Sequence, residues 1–441
     1  MAARIRTVRA LQVLDSRGNP TLEAQVTLAD GTAASAQVPS GASTGRHEAR
    51  ELRDGEGGAY GGKAVSAAAA NVCGPLDEAL RGLRLDDPAR ADEIMIGLDG
   101  TPDKSRLGAN AILAVSCALA RAVARSRGLP LWLSLAGGRR AKMPLPMVNI
   151  LSGGLHAGRQ IEFQDFLAVP HGFRTFAEAI EAAAAVRSRM VGILRADGRL
   201  PDGVADEGGL GPRLESNEQA LDCMVRAIEA AGFEPGRQVS IAIDAAATHF
   251  HRAGEYRLAS EGRTLDAAGM IALYGRWLDA YPLVSIEDAL AEDDWDGWRA
   301  ARRALGGRCE LIGDDLLVTN PSRLERAIAT RAATAVLVKM NQIGTLTETL
   351  RVVDRAEEKG FRAVVSARSG ETEDSFLADL AVATGAGHIK VGSVTRSERL
   401  AKYNRLLRIE AGWDGRSPEG LAPVRPLGHH GCRGDERVND A

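Results

Sequence analysis

Lysine is scarce in this chain. Of its 55 Lys and Arg residues only seven are lysines, at positions 63, 104, 142, 339, 359, 390 and 402. Arginine supplies the general positive charge, so a lysine is most informative where arginine would not replace it, above all as a base. Paired cysteines are missing too. Cys73, Cys117, Cys223, Cys309 and Cys432 are scattered with no CxxC pair, which speaks against a disulfide framework and against a zinc site. Cys117 lies in an apolar helical run and reads as a buried free thiol. No stretch approaches membrane-spanning length, and the opening MAARIRTVRALQVLDSRG has no apolar signal core. The expectation is a cytoplasmic protein without a membrane partner. Charge of one sign is also lacking: the formal net charge of -3 gives no reason to expect nucleic acid as a partner.

What is present is length and apolar content, 441 residues at 45% hydrophobic, enough for a large barrel plus a smaller domain. From residue 4 to about 40 the pattern alternates as RTVRALQVLDS, TLEAQVTLAD and TAASAQVP, separated by the turn signals RGNP and ADGT. This predicts a three-stranded antiparallel meander. Helical periodicity follows in RHEARELRD and NAILAVSCALARAVARSRG, and LAGGRRAKMP reads as a linker. From Met143 strands alternate with helical segments such as TFAEAIEAAAAVRSRMVGILRADG, which predicts a parallel α/β barrel. The expected domains are 1–138, 139–415 and a Gly/Pro/Arg-rich tail, 416–441. His429, His430 and Cys432 in the tail are not read as a metal site.

Six apolar runs in the second half each close on charge: VSIAID on Asp244, LVSIED on Glu287, LIGDD on Asp314 and Asp315, AVLVK on Lys339, AVVSAR on Arg368, and HIKVGS with Lys390. After Glu287 they recur at about 25-residue intervals, one strand plus one helix plus two loops. Charges at the C-terminal ends of barrel strands meet at the mouth, where barrel enzymes place their chemistry. Asp244, Glu287 and Asp314, bunched there, repel one another unless a cation lies between them, and hard oxygen ligands suit Mg²⁺. Each acid alone could instead cap a helix or pair with arginine. Asp288 and Asp315 read as residues that orient the ligands or cap helices. Lys339 ends its strand across the mouth. Near a dication its pKa would be depressed, fitting it to take a proton from carbon; a salt bridge to one of the acids is the alternative. Lys390 is better placed to hold a substrate carboxylate.

Three Gly-rich segments complete the set. The loop VPSGASTGRHEARELRD, with Ser43, reads as a mobile lid that could offer an oxygen to a metal, or as an ordinary N-cap loop. LSGGLHAGRQIEFQDF and DGVADEGGLGP carry His156, Asp165, Asp206 and Glu207 beside glycines, either presented in a cleft or on surface turns.

Taken together, LDSRGNPT, SGASTG, GGLHAG, DEGG, SIED, GDDLLVTN, KMNQIGTLTET, SGETEDSFLADLA, IKVGS and RSERLAKYNRLLRIE resemble the enolase family, in order, from near the start to about residue 410. The resemblance implies an enolase-type modified (β/α)₈ TIM barrel with an N-terminal α+β capping domain, assembled as a homodimer or homo-octamer. It implies two Mg²⁺ per site, one held by Asp244, Glu287 and Asp314 and a second, arriving with substrate, held by Ser43. Lys339 resembles the base that removes the C2 proton of 2-phosphoglycerate, and Glu207 the acid that helps the C3 hydroxyl leave. Lys390 resembles the contact to the substrate carboxylate, Arg368 and Ser369 those to phosphate, and His156 the lid-side histidine near it. Gln164 and Asp165 stand where the family has QEF, so Asp165 is one methylene short of the expected glutamate. Enolase-superfamily sites in general set a Lys or His base against one or two Mg²⁺.

Other positions depart from the family pattern. Ala367 replaces the histidine of SHRSGETED, Ser152 the Asn of NGG, Ala205 the Gly before DEGG, Val391 the Thr after the last lysine, and His249 an acid. The ligands and base are kept while the leaving-group and phosphate side changes. The resulting expectation is a specialised paralogue acting on a phosphorylated or phosphonylated carboxylate, of the kind that forms carboxyphosphonoenolpyruvate in phosphonate antibiotic biosynthesis. The alternatives are an ordinary glycolytic enolase and a non-catalytic enolase-like binding protein.

Overall fold

The computed structural model describes residues 4–41, 45–85, 88–201, 203–416 and 418. The first three strands, β1 (Ile5–Leu14), β2 (Pro20–Leu28) and β3 (Ala33–Gln37), pair antiparallel in the order β1-β2-β3. This is the meander expected from their period-two alternation. The helix Ala109–Ser126 packs against β2 and β3 and is buried through most of its length, as its nearly all-apolar sequence requires.

The second half closes into an eight-stranded barrel. Its strands are β4 (Leu145–Ser152), β5 (Asp165–Val169), β6 (Ser240–Asp244), β10 (Leu283–Glu287), β11 (Glu310–Gly313), β12 (Ala335–Val338), β13 (Arg362–Ser366) and β14 (His388–Gly392). Between β6 and β10 a small separate sheet is formed by β7 (His251–Arg252), β8 (Glu255–Leu258) and β9 (Arg263–Leu265). The barrel is not wholly parallel: β5 runs antiparallel to both β4 and β6. The alternation of strands and helices had pointed to a parallel ring. The chain instead joins β4 and β5 through a loop with one 3₁₀ turn, Gly154–Ala157, and no α-helix, and two long helices, Phe176–Ala196 and Asn217–Ala230, then follow in succession. A connection too short for a crossover helix leaves antiparallel pairing as the available geometry. The barrel helices start on side-chain caps, including a Thr175/Glu178 capping box, Ser216, Asp266, Asp294, Asn320 ahead of Pro321, and Thr345.

Inside the barrel Leu145, Met147, Leu167, Val169, Ala242, Val284, Ile312, Ala335, Leu337 and Val364 form one apolar plug, separate from the larger core between strands and helices. Side chains alternate along a strand, so two residues beyond the plug the same inward phase reaches Asn149, Asp165, Asp244, Asp314, Lys339 and Ser366. Glu287 joins them because the register of β10 shifts between Leu283 and Ser285, placing Glu287 opposite Asp244. Lys390 pairs in register with Ser366 and Met147, so it too faces inward. The plug is a floor and the charged ring stands on it.

The capping domain is clamped over the mouth. Arg121 grips Asp374 with both guanidinium nitrogens, at 2.5 and 2.6 Å, and the Gln37 amide donates to the same carboxylate at 2.9 Å. Buried Lys104 reaches Glu348 at 3.0 Å. Among the described residues no helix is long and apolar enough to cross a membrane.

Candidate active site

The ends of β6, β10, β11, β12 and β14 bring their charges into contact. Lys390 Nζ donates to Asp244 Oδ2 at 2.9 Å and to both Glu287 oxygens at 2.7 Å. Gln164 Nε2 donates to Asp244 Oδ2 at 3.1 Å. Lys339 does not stand across the mouth from the acids; its ammonium is ion-paired with Asp314, whose other oxygen accepts from Gln342 Nε2 at 2.8 Å. Asp288 sits beneath. Its two oxygens accept the amides of Asp314 at 2.9 Å and Asp315 at 2.8 Å, which fixes the turn carrying Asp314.

Negative charge is in excess here. Burial, then the neighbouring Asp244 and Asp314, push Glu287 well above the usual carboxylate range in spite of Lys390. Burial and Asp314 likewise lift Asp315, to about 8. Asp244 and Asp314 resist the same burial because Lys390 and Lys339 respectively hold them low. Burial is the strongest single influence on Lys339 and works against its charge, but the surrounding carboxylates, led by Asp314 and then Glu287, together raise the lysine above its ordinary value. The depressed lysine expected from sequence presupposed a dication beside it, and the contact seen is the salt bridge that was its alternative. Three inward carboxylates that two lysines do not neutralise, two of them within 2.9 Å of one cationic nitrogen, form a donor set that fits a hard divalent cation. Asp288, Asp314 and Asp315 also lie close enough together to share an ion.

A second cluster faces this one. Asp165, wholly buried on β5, accepts from Asn149 Nδ2 and from Ser152 Oγ at 2.9 Å, both through Oδ1. Its Oδ2 faces His156 Nδ1 at 3.4 Å. Burial disfavours a charged imidazole, but Asp165, with Glu207 and Asp244 beyond it, raises His156 to about 9. Burial raises Asp165 itself, only partly offset by His156. Glu207 is buried as well, yet Arg399, His156 and the two lysines hold its carboxyl below the usual value. His156, Asp165 and Glu207 come within mutual reach.

Arg368, 3% exposed, lies on the third side. It donates to Glu48 Oε2 at 2.8 Å and Asn341 Oδ1 at 3.1 Å. Ser369 and Gly370 follow, and Gly370 exchanges two backbone hydrogen bonds with Ser40, at 2.8 and 3.0 Å, joining barrel to capping domain. A Cβ at Gly370 would stand 2.4 Å from Arg17 and 2.5 Å from Asp15, so no larger residue fits. Ser43 falls outside the described residues. Ala367, at the end of β13, is buried and donates its amide to the Lys390 carbonyl at 2.9 Å.

Sequence reasoning passed over Asn149, Gln342, Asn341 and Glu48. Gln342 and Asn341 lie directly after Lys339 in KMNQIGT, where adjacency to a candidate base was the available signal. Glu48 follows the lid loop, and only the fold brings it to Arg368.

Two family models match the chain. "Enolase, N-terminal domain" covers residues 5–135 and "Enolase, C-terminal TIM barrel domain" covers 140–417. Among named relatives, "Enolase 1" of Methylococcus capsulatus is 52% identical over 412 residues, 93% of this chain and 98% of the relative. "Enolase" of Rubrobacter xylanophilus is 52% identical over 406 residues, 92% of this chain and 94% of the relative.

Proposed function

The chain belongs to the enolase family and is a carbon–oxygen lyase, and from that premise we propose that it converts 2-phosphoglycerate to phosphoenolpyruvate and water. The observation that carries this reading is the 52% identity to proteins named enolase across more than nine-tenths of the chain. It favours the ordinary reaction over the specialised paralogue that Ala367 and Asp165 had suggested.

In this reading Asp244, Glu287 and Asp314 hold one Mg²⁺, with Ser43 toward a second. When bound, such ions supply positive charge that stabilises the enediolate developing on the substrate carboxylate. The protein's own groups do the rest. Lys339 Nζ takes the C2 proton, and Asp314 beside it orients the amine. Lys390 and Gln164 hold the carboxylate end. Arg368, Ser369 and His156 bind phosphate. The proton for the departing C3 hydroxyl comes from the Glu207–His156–Asp165 group acting as one coupled unit, because Glu207 by itself is held in its ionised form. The reading includes a cytoplasmic location and a homodimer or homo-octamer. Leu11 and Leu14, exposed on β1 at 56% and 54%, are available for such an interface.

Purified protein with Mg²⁺ and 2-phosphoglycerate should produce phosphoenolpyruvate, and in deuterated solvent it should exchange the C2 proton. Exchange without product would instead favour the second reading, which rests on the buried Ala367 where an imidazole was expected. A carboxyphosphono analogue of the substrate should then be the better one. Neither exchange nor product would leave a binding protein.

A further inference from the structure

The helix Ser397–Glu410 turns two cations into the molecule, Arg399 and Lys402, both 0% exposed. They are three residues apart and therefore share a face. A guanidinium removed from water is ordinarily matched by a carboxylate. Among the described residues the carboxylate within ion-pairing reach of Arg399 is Glu398, 3.6 Å from its Nε. Its fork is directed instead at backbone: Nη1 donates to the Arg368 carbonyl at 2.6 Å and the Val391 carbonyl at 2.9 Å, and Nη2 to the Ser369 carbonyl at 2.8 Å. Lys402 holds the next stretch. It donates to the Thr372 carbonyl and pairs with Glu371 Oε2 at 2.7 Å, while Glu371 Oε1 accepts the Arg368 amide at 3.1 Å.

These bonds fall where the sheet stops helping. The β13–β14 ladder ends at Ser366 opposite Lys390, so the carbonyls of 368 and 369 have no strand to accept from. The Ser369 carbonyl also accepts from Ser16 Oγ at 3.4 Å. Arg399 also adjoins the opposite wall of the site. A Cβ on Gly392 would stand 3.1 Å from Arg399 Cδ and 2.7 Å from the Glu207 carbonyl, and of the positive charges around Glu207 that of Arg399 acts on it most strongly.

We infer that Arg399, with Lys402 behind it, is a positioning residue that sets the Arg368–Ser369 edge of the site and ties that edge to the strand end beside Glu207. It touches no substrate. A planar fork is required because one group must span carbonyls on two separate segments, which a single ammonium does less well. The inference rests on the proposed function only in naming phosphate as what that edge binds.

The test compares Arg399→Lys and Arg399→Ala with the parent protein. Both should raise KM for 2-phosphoglycerate by about tenfold or more and lower kcat, since misplacement of binding groups is felt in both. The Mg²⁺ concentration for half-activation should stay unchanged, because the carboxylates belong to β6, β10 and β11. Guanidinium ion should restore part of the activity of Arg399→Ala and none of that of Arg399→Lys. Hydrogen exchange should quicken in residues 366–372 and not at the ends of β6, β10 and β11. This readout holds whatever the substrate: a parent protein inactive on 2-phosphoglycerate defeats the proposed reaction, while unchanged exchange at 366–372 defeats the role of Arg399. A lowered melting temperature with KM and exchange unaltered would mean that Arg399 only stabilises the fold. Should Arg399→Ala not fold, Arg399→Lys decides the matter by the same KM and exchange measurements.

Discussion

Asp165 is the residue at which this chain's departure from its family can be examined most directly. Its side chain is shorter than the glutamate of the pattern; Oδ1 is held by Asn149 and Ser152, while Oδ2 makes an ion-pair contact to His156 at 3.4 Å without a hydrogen bond. Ser152 is itself a departure, so two smaller residues meet where two larger ones were expected. Shortening is therefore answered by neighbours at Oδ1, while Oδ2 is left with the His156 ion pair. The charge of Asp165 matters most to His156, whose imidazole is raised to about 9 largely against the cost of burial. Replacing Asp165 with Asn keeps the shape and removes the charge. The folded-state pKa of His156 should then fall, and its protonated form should be lost at lower pH than in the parent. The basic limb of kcat/KM should move down by about a unit or more, read from pH–rate profiles of D165N beside the parent. An unmoved basic limb would show that the charge on His156 does not govern catalysis. At this scale the sequence was informative about which residues carry charge, because strand-end acids and lysines stand out against apolar runs. It was silent about partners such as Asn149 and Gln342, which depend on which side chains converge across strands far apart in sequence.

The element that determines the metal-side geometry is the pair of turns closing β10 and β11. Asp288 follows Glu287 with φ of +43°, a left-handed conformation that a non-glycine residue adopts only when its surroundings over-determine it. Here both of its carboxylate oxygens are committed, to the amides of Asp314 and Asp315. One strand end thus holds the next in place. Asn at 288 has a single acceptor oxygen and leaves one amide without its partner. Such outer partners of ligands are worth about 10- to 100-fold in metal affinity, and D288N should weaken Mg²⁺ binding by that order in a calorimetric titration. Mg²⁺ affinity equal to the parent's would separate Asp288 from the metal site. Legibility at this scale was mixed. Period-two alternation and turn signals pointed to the β1–β3 meander, and apolar runs closing on charge to the barrel strands β6 and β10 to β14. The antiparallel β5 was not visible in strand and helix alternation, since direction is set by the absence of a crossover α-helix between β4 and β5. The register shift in β10 was not visible either, although it turns Glu287 rather than Ile286 inward.

For the molecule as a whole the barrel floor matters as much as its mouth. Two polar residues interrupt the plug: Ser285, the register partner of Ala242, and His388, the register partner of Val364 and Leu145, which is 1% exposed. Neither ring nitrogen has a hydrogen-bond partner. Burial lowers its pKa to about 3, and the positive charges of Arg362 and His171 act the same way. In the unfolded chain the same imidazole titrates near about 6.5. Between those two values the unfolded state binds a proton that the native state refuses. Stability therefore falls as pH drops from about 6.5 toward 3, by up to about 1.4 kcal/mol per unit, or roughly 2 kcal/mol by pH 5. A leucine at 388 fills the plug without a titrating group and leaves no ring nitrogen unpaired. H388L should lose about that much of the parent's difference in unfolding free energy between pH 7.5 and pH 5, measured by urea titration at each pH. At pH 7.5 it should be at least as stable as the parent, because no hydrogen bond is given up. An identical acid sensitivity in H388L would place the titrating groups elsewhere, in the carboxylates of the mouth. The same floor that lets inward side chains converge above it thus carries a latent acid sensitivity, set by one titratable residue in a mostly apolar layer.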